Sequence, residues 1–228
     1  MIHVEHLTYA YPDGRRALDD LSFSIAEGET VGLIGPNGAG KTTLFLCLAG
    51  VIRVPAGKIS IAGLDPANST HLKQLPSRLG IVFQNSDDQL FSATIFDDVA
   101  FGPLNLELPA DEVRRRVAES LARVGLTSSE ERVPFHLSGG EKRRAAIAGV
   151  LAMRPSVLLL DEPTMFLDPR GRRDVISLIQ ELPGTKLIAS HDQGLIRQTC
   201  TRALLLEEGR ITGVGNVEEM LAKMPEGD

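Results

Sequence analysis

A lysine, two adjacent threonines, a carboxylate pair and a histidine, set among glycines, are the residues of this chain whose types and spacing ask for chemistry. Gly35-Pro36-Asn37-Gly38-Ala39-Gly40-Lys41-Thr42-Thr43 fits the pattern G-x-x-x-x-G-K-[ST] directly behind an apolar run at residues 30–34. A phosphate chain needs several backbone N–H groups aimed at one spot, and glycines let the backbone turn sharply enough to supply them. A helix opening near Lys41 adds its positive dipole end. Lys41 brings a point charge to the terminal phosphates, and the Thr42 hydroxyl is placed to ligate a Mg²⁺ that bridges them. Val157-Leu158-Leu159-Leu160 is fully apolar and ends in Asp161-Glu162. Buried carboxylates are costly unless a cation or a reaction accounts for them. Asp161 suits the Mg²⁺ shell, and Glu162 suits orienting or deprotonating a water. Gln84 and His191 each close an apolar strand pattern, on the edge where open α/β sheets take their ligands. A solvated strand end for Gln84 and a purely structural hydrogen-bonding role for His191 are the plain alternatives.

These residues require a mainly parallel sheet with its strand ends gathered on one edge, and the rest of the chain reads accordingly. Ile2, Val4 and His6 alternate against Leu7 and Tyr9, Tyr11-Pro12-Asp13-Gly14 signals a turn, and Leu18, Leu21, Phe23 and Ile25 form a second strand pattern. The expectation is an antiparallel hairpin beside the nucleotide strand. Tyr11 or Tyr9 offers a flat face suited to a base, the alternative being a strand aromatic in the core. Residues 58–62 form a short strand and residues 79–83 a buried one. Between residues 85 and 154 the texture turns helical, which marks an α-helical insertion in the core. One helix starts at Pro109-Ala110-Asp111-Glu112, with Val113, Val117, Leu121 and Val124 at helical spacing. Its run Arg114-Arg115-Arg116 reads as a solvated face, with Glu112 to Arg116 and Glu119 to Arg123 as i,i+4 pairs. A second helix runs from about Gly140 until Arg154-Pro155 stops it. A helix over residues 169–182, a strand over 186–190 and a hairpin across Glu208-Gly209 complete the pattern, and the tail from Met224 onward reads as loose.

Hydrophobic residues at 43% and charged residues at 24% of 228 suit one large soluble domain, residues 1–228. A net charge of −6 argues against a nucleic-acid partner. No apolar run approaches the roughly 18 residues of a membrane span, and Met1-Ile2-His3-Val4-Glu5-His6 lacks the basic and apolar regions of an export signal. The two cysteines, Cys47 and Cys200, lie far apart without metal-ligand spacing and read as reduced thiols of a cytosolic protein, Cys47 packed in the core.

Leu137-Ser138-Gly139-Gly140-Glu141 resembles the signature sequence of ATP-binding-cassette (ABC) ATPases, and the family's other elements follow in its order: the aromatic at Tyr11, the phosphate loop, Gln84, Asp161-Glu162, the loop at Met165 to Asp168, and His191. The resemblance covers essentially the whole chain. It implies a P-loop NTPase core with an N-terminal antiparallel β subdomain and a helical subdomain, and ATP with Mg²⁺ as the ligands. It implies a head-to-tail dimer, with a second copy or a paralogue, in which the phosphate loop of one subunit faces Ser138, Gly139 and Gly140 of the other. Under it Tyr11 stacks the adenine, Thr42 and Gln84 ligate Mg²⁺, Asp161 acts on Mg²⁺ through water, Glu162 is the general base, and His191 contacts the γ-phosphate. Phe83-Gln84-Asn85-Ser86-Asp87-Asp88-Gln89-Leu90-Phe91 and Asp97-Asp98-Val99-Ala100-Phe101-Gly102-Pro103 are similar to the ATPase subunits of energy-coupling-factor importers, the group that includes the cobalt and nickel ATPases. That implies a peripheral subunit on the cytoplasmic face of the membrane, touching its integral-membrane partner through about residues 84–101, with cobalt, nickel or a vitamin as cargo. A non-transport ABC ATPase serving DNA repair or cluster assembly is the rival; the acidic charge and the absence of a long coiled-coil insertion oppose repair. The chain departs from the family pattern at Glu141, where many relatives have Gln, at Met165-Phe166, where small residues are usual, and at Ser86, where Pro is common.

Overall fold

The computed structural model describes residues 1–224. Along the chain run β1 (Ile2–Ala10), β2 (Arg16–Ile25), β3 (Thr30–Ile34), α1 (Lys41–Leu48), β4 (Ala56–Ile61), α2 (Ser69–Gln74), β5 (Leu79–Val82), α3 (Ile95–Asn105), α4 (Ala110–Arg123), α5 (Gly139–Leu151), β6 (Val157–Asp161), α6 (Pro169–Glu181), β7 (Thr185–Ala189), α7 (Gln193–Thr199), β8 (Arg202–Glu207), β9 (Arg210–Gly215) and α8 (Val217–Lys223). A six-stranded sheet has the order β5-β6-β7-β3-β8-β9. All its neighbours are parallel except β8 and β9. Strands β3, β6 and β7 are buried at every residue, which is why they read as mostly apolar runs rather than as alternation. Period two still sorts their side chains. Leu158 and Leu160 join the core on the side of α3 to α8, while Val157 and Leu159 join the core under α1 and the smaller sheet.

Residues 1–25 do form an antiparallel hairpin, but it does not lie in the sheet of the nucleotide strand. β1 and β2 pair with β4 in a separate three-stranded sheet, β2-β1-β4. The apolar face of that sheet, Ile2, Leu7, Leu18, Leu21 and Ile61, covers the core beside α1. Both edges of β3 are already taken by β7 and β8, so the hairpin can meet it only face to face.

Several helices start where short polar side chains cap them, although α1 and α4 do not. Thr94 accepts from Asp97 N–H, Ser138 from Glu141 N–H, Asp168 from Gly171 N–H and Asp192 from Leu195 N–H. On α4, Glu112 takes Arg116 at 2.7 Å as expected, but Glu119 pairs with Arg115 and with Arg154 rather than with Arg123. Arg123 instead donates to the Glu181 carbonyl, which closes the end of α6. Met224 packs against the core; the remainder of the tail lies outside the described residues. Among the described residues no helix is long and apolar enough to cross a membrane. Cys47 is fully buried, its thiol pushed up to about 12 by burial, and Cys200 is partly buried.

Candidate active site

Because β5, β6, β7 and β3 run parallel, everything that follows them emerges on one edge of the sheet. The loop after β3 holds residues 35–40; Gly35 has φ +146°, and a Cβ there would stand 1.9 Å from the Leu206 carbonyl oxygen. Only glycine fits, because β8 passes directly behind. Pro36, Asn37 and Gly38 are exposed and Ala39 is buried, its carbonyl accepting Gly209 N–H at 3.0 Å. Gly40, also at positive φ, precedes α1. The loop thus presents backbone outward above a fixed base.

Lys41 folds back over this loop. Its Nζ donates to the carbonyls of Gly35 at 2.7 Å and Pro36 at 3.0 Å, and reaches His191 Nε2 at 3.1 Å. Burial draws the ammonium below its ordinary range, opposed by Glu162 and Asp161. Thr42 Oγ1 donates to Asp161 Oδ2 at 2.9 Å, and Thr43 Oγ1 meets the Tyr11 hydroxyl at 3.0 Å. Glu162 is buried with its backbone at φ +46°. Its carboxylate accepts Ser190 Oγ at 2.8 Å and the His191 N–H at 3.1 and 3.2 Å, with His191 Nε2 3.5 Å from Oε1. Gln84, two residues past β5, donates its amide to the Met165 sulfur at 2.9 Å. Tyr11, Lys41, Thr42, Gln84, Glu162 and His191 all line one cavity of about 440 Å³. Between the two aromatic candidates the structure distinguishes: Tyr11 lines the cavity, whereas Tyr9 packs on the core and against the Tyr11 ring edge.

The donor set at Thr42 and Asp161 fits Mg²⁺. Asp161 is buried, and burial pushes its carboxyl above the usual carboxylate range, against the Thr42 hydrogen bond; a cation beside it removes that penalty. Among the described residues no cluster of three or more His, Cys, Asp or Glu side chains converges. A Mg²⁺ beside bound phosphates needs only a few protein oxygens, since phosphate and water supply the rest of its ligands.

Ser138, Gly139 and Gly140 stand elsewhere. They line a second cavity of about 600 Å³, with Arg144, Phe166, Asp168 and Arg170, and the two cavities share no residue. Ser138 caps α5 in a capping box with Glu141: Glu141 Oε2 accepts Ser138 N–H at 2.9 Å and Ser138 Oγ–H at 2.8 Å. Phe166 is 82% exposed at φ +62°, a left-handed conformation that is uncommon for a bulky side chain. At Ser86 the turn forms without proline, as a 3₁₀ turn over residues 86–88 capped by Asn85.

Residues 18–165 match the family model described as ABC transporter. The chain belongs to that family. It is 48% identical over 225 residues to the energy-coupling factor transporter ATP-binding protein EcfA of Methanothermobacter thermautotrophicus, covering 96% of this chain and 72% of that one. The EcfA of Carboxydothermus hydrogenoformans is 44% identical, with 94% and 80% covered. Among solved structures, CbiO1 of Clostridium perfringens, part of the ABC transporter complex CbiONQ, superposes with a TM-score of 0.86 at 40% identity over 97% of this chain and 90% of that one. The dimeric cassette MJ0796, in a post-hydrolysis state with ADP and Pi, gives 0.85 at 26% identity over 95% and 99%. This ABC protein is therefore an ATPase acting on ATP with Mg²⁺.

Two residues beside the phosphate-loop cavity escape the motifs. Ser190, at the end of β7, holds Glu162; a serine ahead of His191 at a buried strand end is the signal that would have found it. Arg143 is buried and donates to the Phe83 carbonyl at 2.5 Å and to the Gln84 carbonyl, fixing the approach to Gln84. In sequence it hides inside Lys142-Arg143-Arg144, which looks like a solvated run.

Proposed function

We propose that this ABC ATPase is the nucleotide-binding subunit of an energy-coupling-factor type import complex, and that it hydrolyses ATP between two subunits on the cytoplasmic face of the membrane. The observation that carries the two-subunit reading is the separation of the phosphate-loop cavity from the cavity at Ser138 to Gly140. Each lies at a helix N-terminus, whose dipole suits an anion, and one nucleotide cannot reach both on one chain.

In this reading the loop amides of residues 35–43 and Lys41 grip the phosphates, and the Tyr11 ring takes the adenine. Thr42 and Gln84 would ligate Mg²⁺, with Asp161 acting through a bound water. When bound, Mg²⁺ neutralises charge on the β- and γ-phosphates. Glu162, held by Ser190 and the His191 N–H, deprotonates the attacking water, and His191 positions it against the γ-phosphate. Residues 85–154 act as one helical unit inserted in the core. Where this unit meets residues 49–83 there is an apolar cavity of about 410 Å³ bordered by Val51, Leu72, Phe91 and Phe101, with Phe91 64% exposed; this supports contact with a membrane partner through residues 84–101. The relatives' names support the import class. The cargo, a cobalt or nickel ion or a vitamin, is chosen by a separate membrane protein.

Glu162→Gln tests the assignment. ATP binding should persist, an ATP-dependent dimer should accumulate in light scattering, and steady-state phosphate release should fall by about 10² to 10⁴-fold, the usual share of a positioned base. A loss below about tenfold would remove Glu162 from the role. Co-purification of the complex from membranes, with identification of the bound ligand, tests the import reading; an active ATPase without a membrane partner would overturn it.

A further inference from the structure

The cavity around Ser138 to Gly140 has the wrong charge balance for a surface that receives a triphosphate. Its wall carries three carboxylates, Glu141, Asp168 and Asp174, against two guanidiniums, Arg144 and Arg170. Asp168 is occupied in capping α6, and Asp174 lies 3.4 Å from Arg144. Glu141 is the residue directly after Gly140, and its carboxylate touches the Ser138 hydroxyl. An uncompensated charge there would repel the phosphate that the turn is meant to hold.

Arg132 supplies the compensation. It lies in the loop between α4 and α5, outside that cavity wall, and its guanidinium donates to Glu141 Oε1 at 2.7 Å while Oε2 keeps the two Ser138 hydrogen bonds. The carboxyl of Glu141 is drawn to about 2, with Arg132 the largest cause. The same loop is anchored at its other side. The Arg132 carbonyl accepts Ile95 N–H at 3.0 Å and the Glu130 carbonyl accepts Phe96 N–H at 2.9 Å, so it also closes the first turn of α3.

We propose that Arg132 is a positioning residue of the two-subunit ATP site: it carries the countercharge that lets Ser138, Gly139 and Gly140 accept a γ-phosphate held by the facing subunit, and it ties that turn to the start of α3. The inference rests on the two-subunit reading above. Arg132 touches neither nucleotide nor water; it acts through Glu141.

The test uses the Glu162→Gln chain, with dimer formation followed by light scattering over a series of ATP concentrations with Mg²⁺. Adding Arg132→Ala should weaken the dimer by roughly fivefold per site, the upper range for a half-exposed ion pair, and so by about 25-fold for two sites. Adding Glu141→Gln to that variant removes the stranded charge and should restore dimerisation to within about threefold. Arg132→Lys should lose less than Arg132→Ala. If Arg132→Ala lowers the unfolding temperature, Arg132→Gln carries the same comparison, since it keeps amide donors for Glu141 without the charge. Dimerisation unchanged by Arg132→Ala or Arg132→Gln overturns the inference, as does a loss that Glu141→Gln fails to restore in a normally folded protein. If the Glu162→Gln chain itself never dimerises with ATP, the two-subunit reading fails instead, and the inference falls with it.

Discussion

Ser190→Ala isolates what aiming Glu162, the proposed base, contributes. Glu162 sits at φ +46° in a buried position, with one side-chain donor, Ser190 Oγ at 2.8 Å, and one backbone donor, His191 N–H. A hydrogen bond to a charged group contributes about 1.5–3 kcal/mol. Removing the Ser190 hydroxyl leaves the His191 donor in place, so the loss should sit near the lower end. At about 1.4 kcal/mol per factor of ten, that is roughly tenfold in kcat. KM for ATP should hold within about twofold, because Ser190 is not among the residues that line the nucleotide cavity. The hydroxyl also accepts Asp192 N–H at 3.1 Å, so a stability loss on the order of 1 kcal/mol should accompany the change. Phosphate release at saturating ATP, with urea unfolding alongside, separates these effects. A kcat within twofold of the parent, with only the stability loss, would show that the bond is structural. A raised KM with kcat intact would place Ser190 in nucleotide binding.

Two further outcomes follow from geometry and charge. Gly35→Ala drives a Cβ to 1.9 Å from the Leu206 carbonyl, backbone against backbone, whereas at Gly14, φ +86°, nothing lies within 4 Å of an added Cβ. Gly14→Ala should therefore lose only the cost of a left-handed alanine, about 1–2 kcal/mol, while Gly35→Ala should lose several times that or fail to fold; equal losses in urea unfolding would refute the account. Glu141, drawn from 4.5 to about 2, is protonated in the unfolded chain before the folded one as pH falls. Its contribution is whole above about pH 4.5 and disappears toward pH 2, so between about pH 6 and pH 3 the unfolding temperature of Glu141→Gln should fall less than that of the parent, and identical falls would refute the pairing with Arg132.

What could be read from the sequence, and what could not, divides along one physical line. Backbone-determined features were legible. The glycine loop, the apolar strand ending in Asp161-Glu162 and the helix opening at about Gly140 each depend on local conformation, and a local pattern reports local conformation. Partners chosen across the fold were not. Glu119 has Arg123 four residues on, yet it pairs with Arg115 and with Arg154, which the α4 to α5 packing brings alongside. The hairpin was legible and the resemblance placed it in an antiparallel β subdomain, but its third strand, β4, was not, since strand alternation says which face is buried and is silent about which neighbour supplies the edge. Arg143 and Arg132 show the limit most sharply. Both are arginines beside other charges in sequence, where the solvated reading is the better one in general; only the fold reveals that Arg143 is buried on the carbonyls before and at Gln84 and that Arg132 faces Glu141.

The same line explains where the functional argument gains from coordinates. The motifs point to both halves of the proposed ATP site, but a motif has no position relative to another motif far away in sequence. The structure adds that the halves open into cavities with no residue in common, while Met165 borders one and Phe166 the other. Two adjacent residues of one loop thus touch both surfaces: Met165 holds the Gln84 amide, and Phe166 projects beside Ser138 to Gly140. Substituting the pair changes both sites together, whereas substituting Ser190 or Arg132 changes one, and that contrast is the reason the single-site variants are the cleaner measurement.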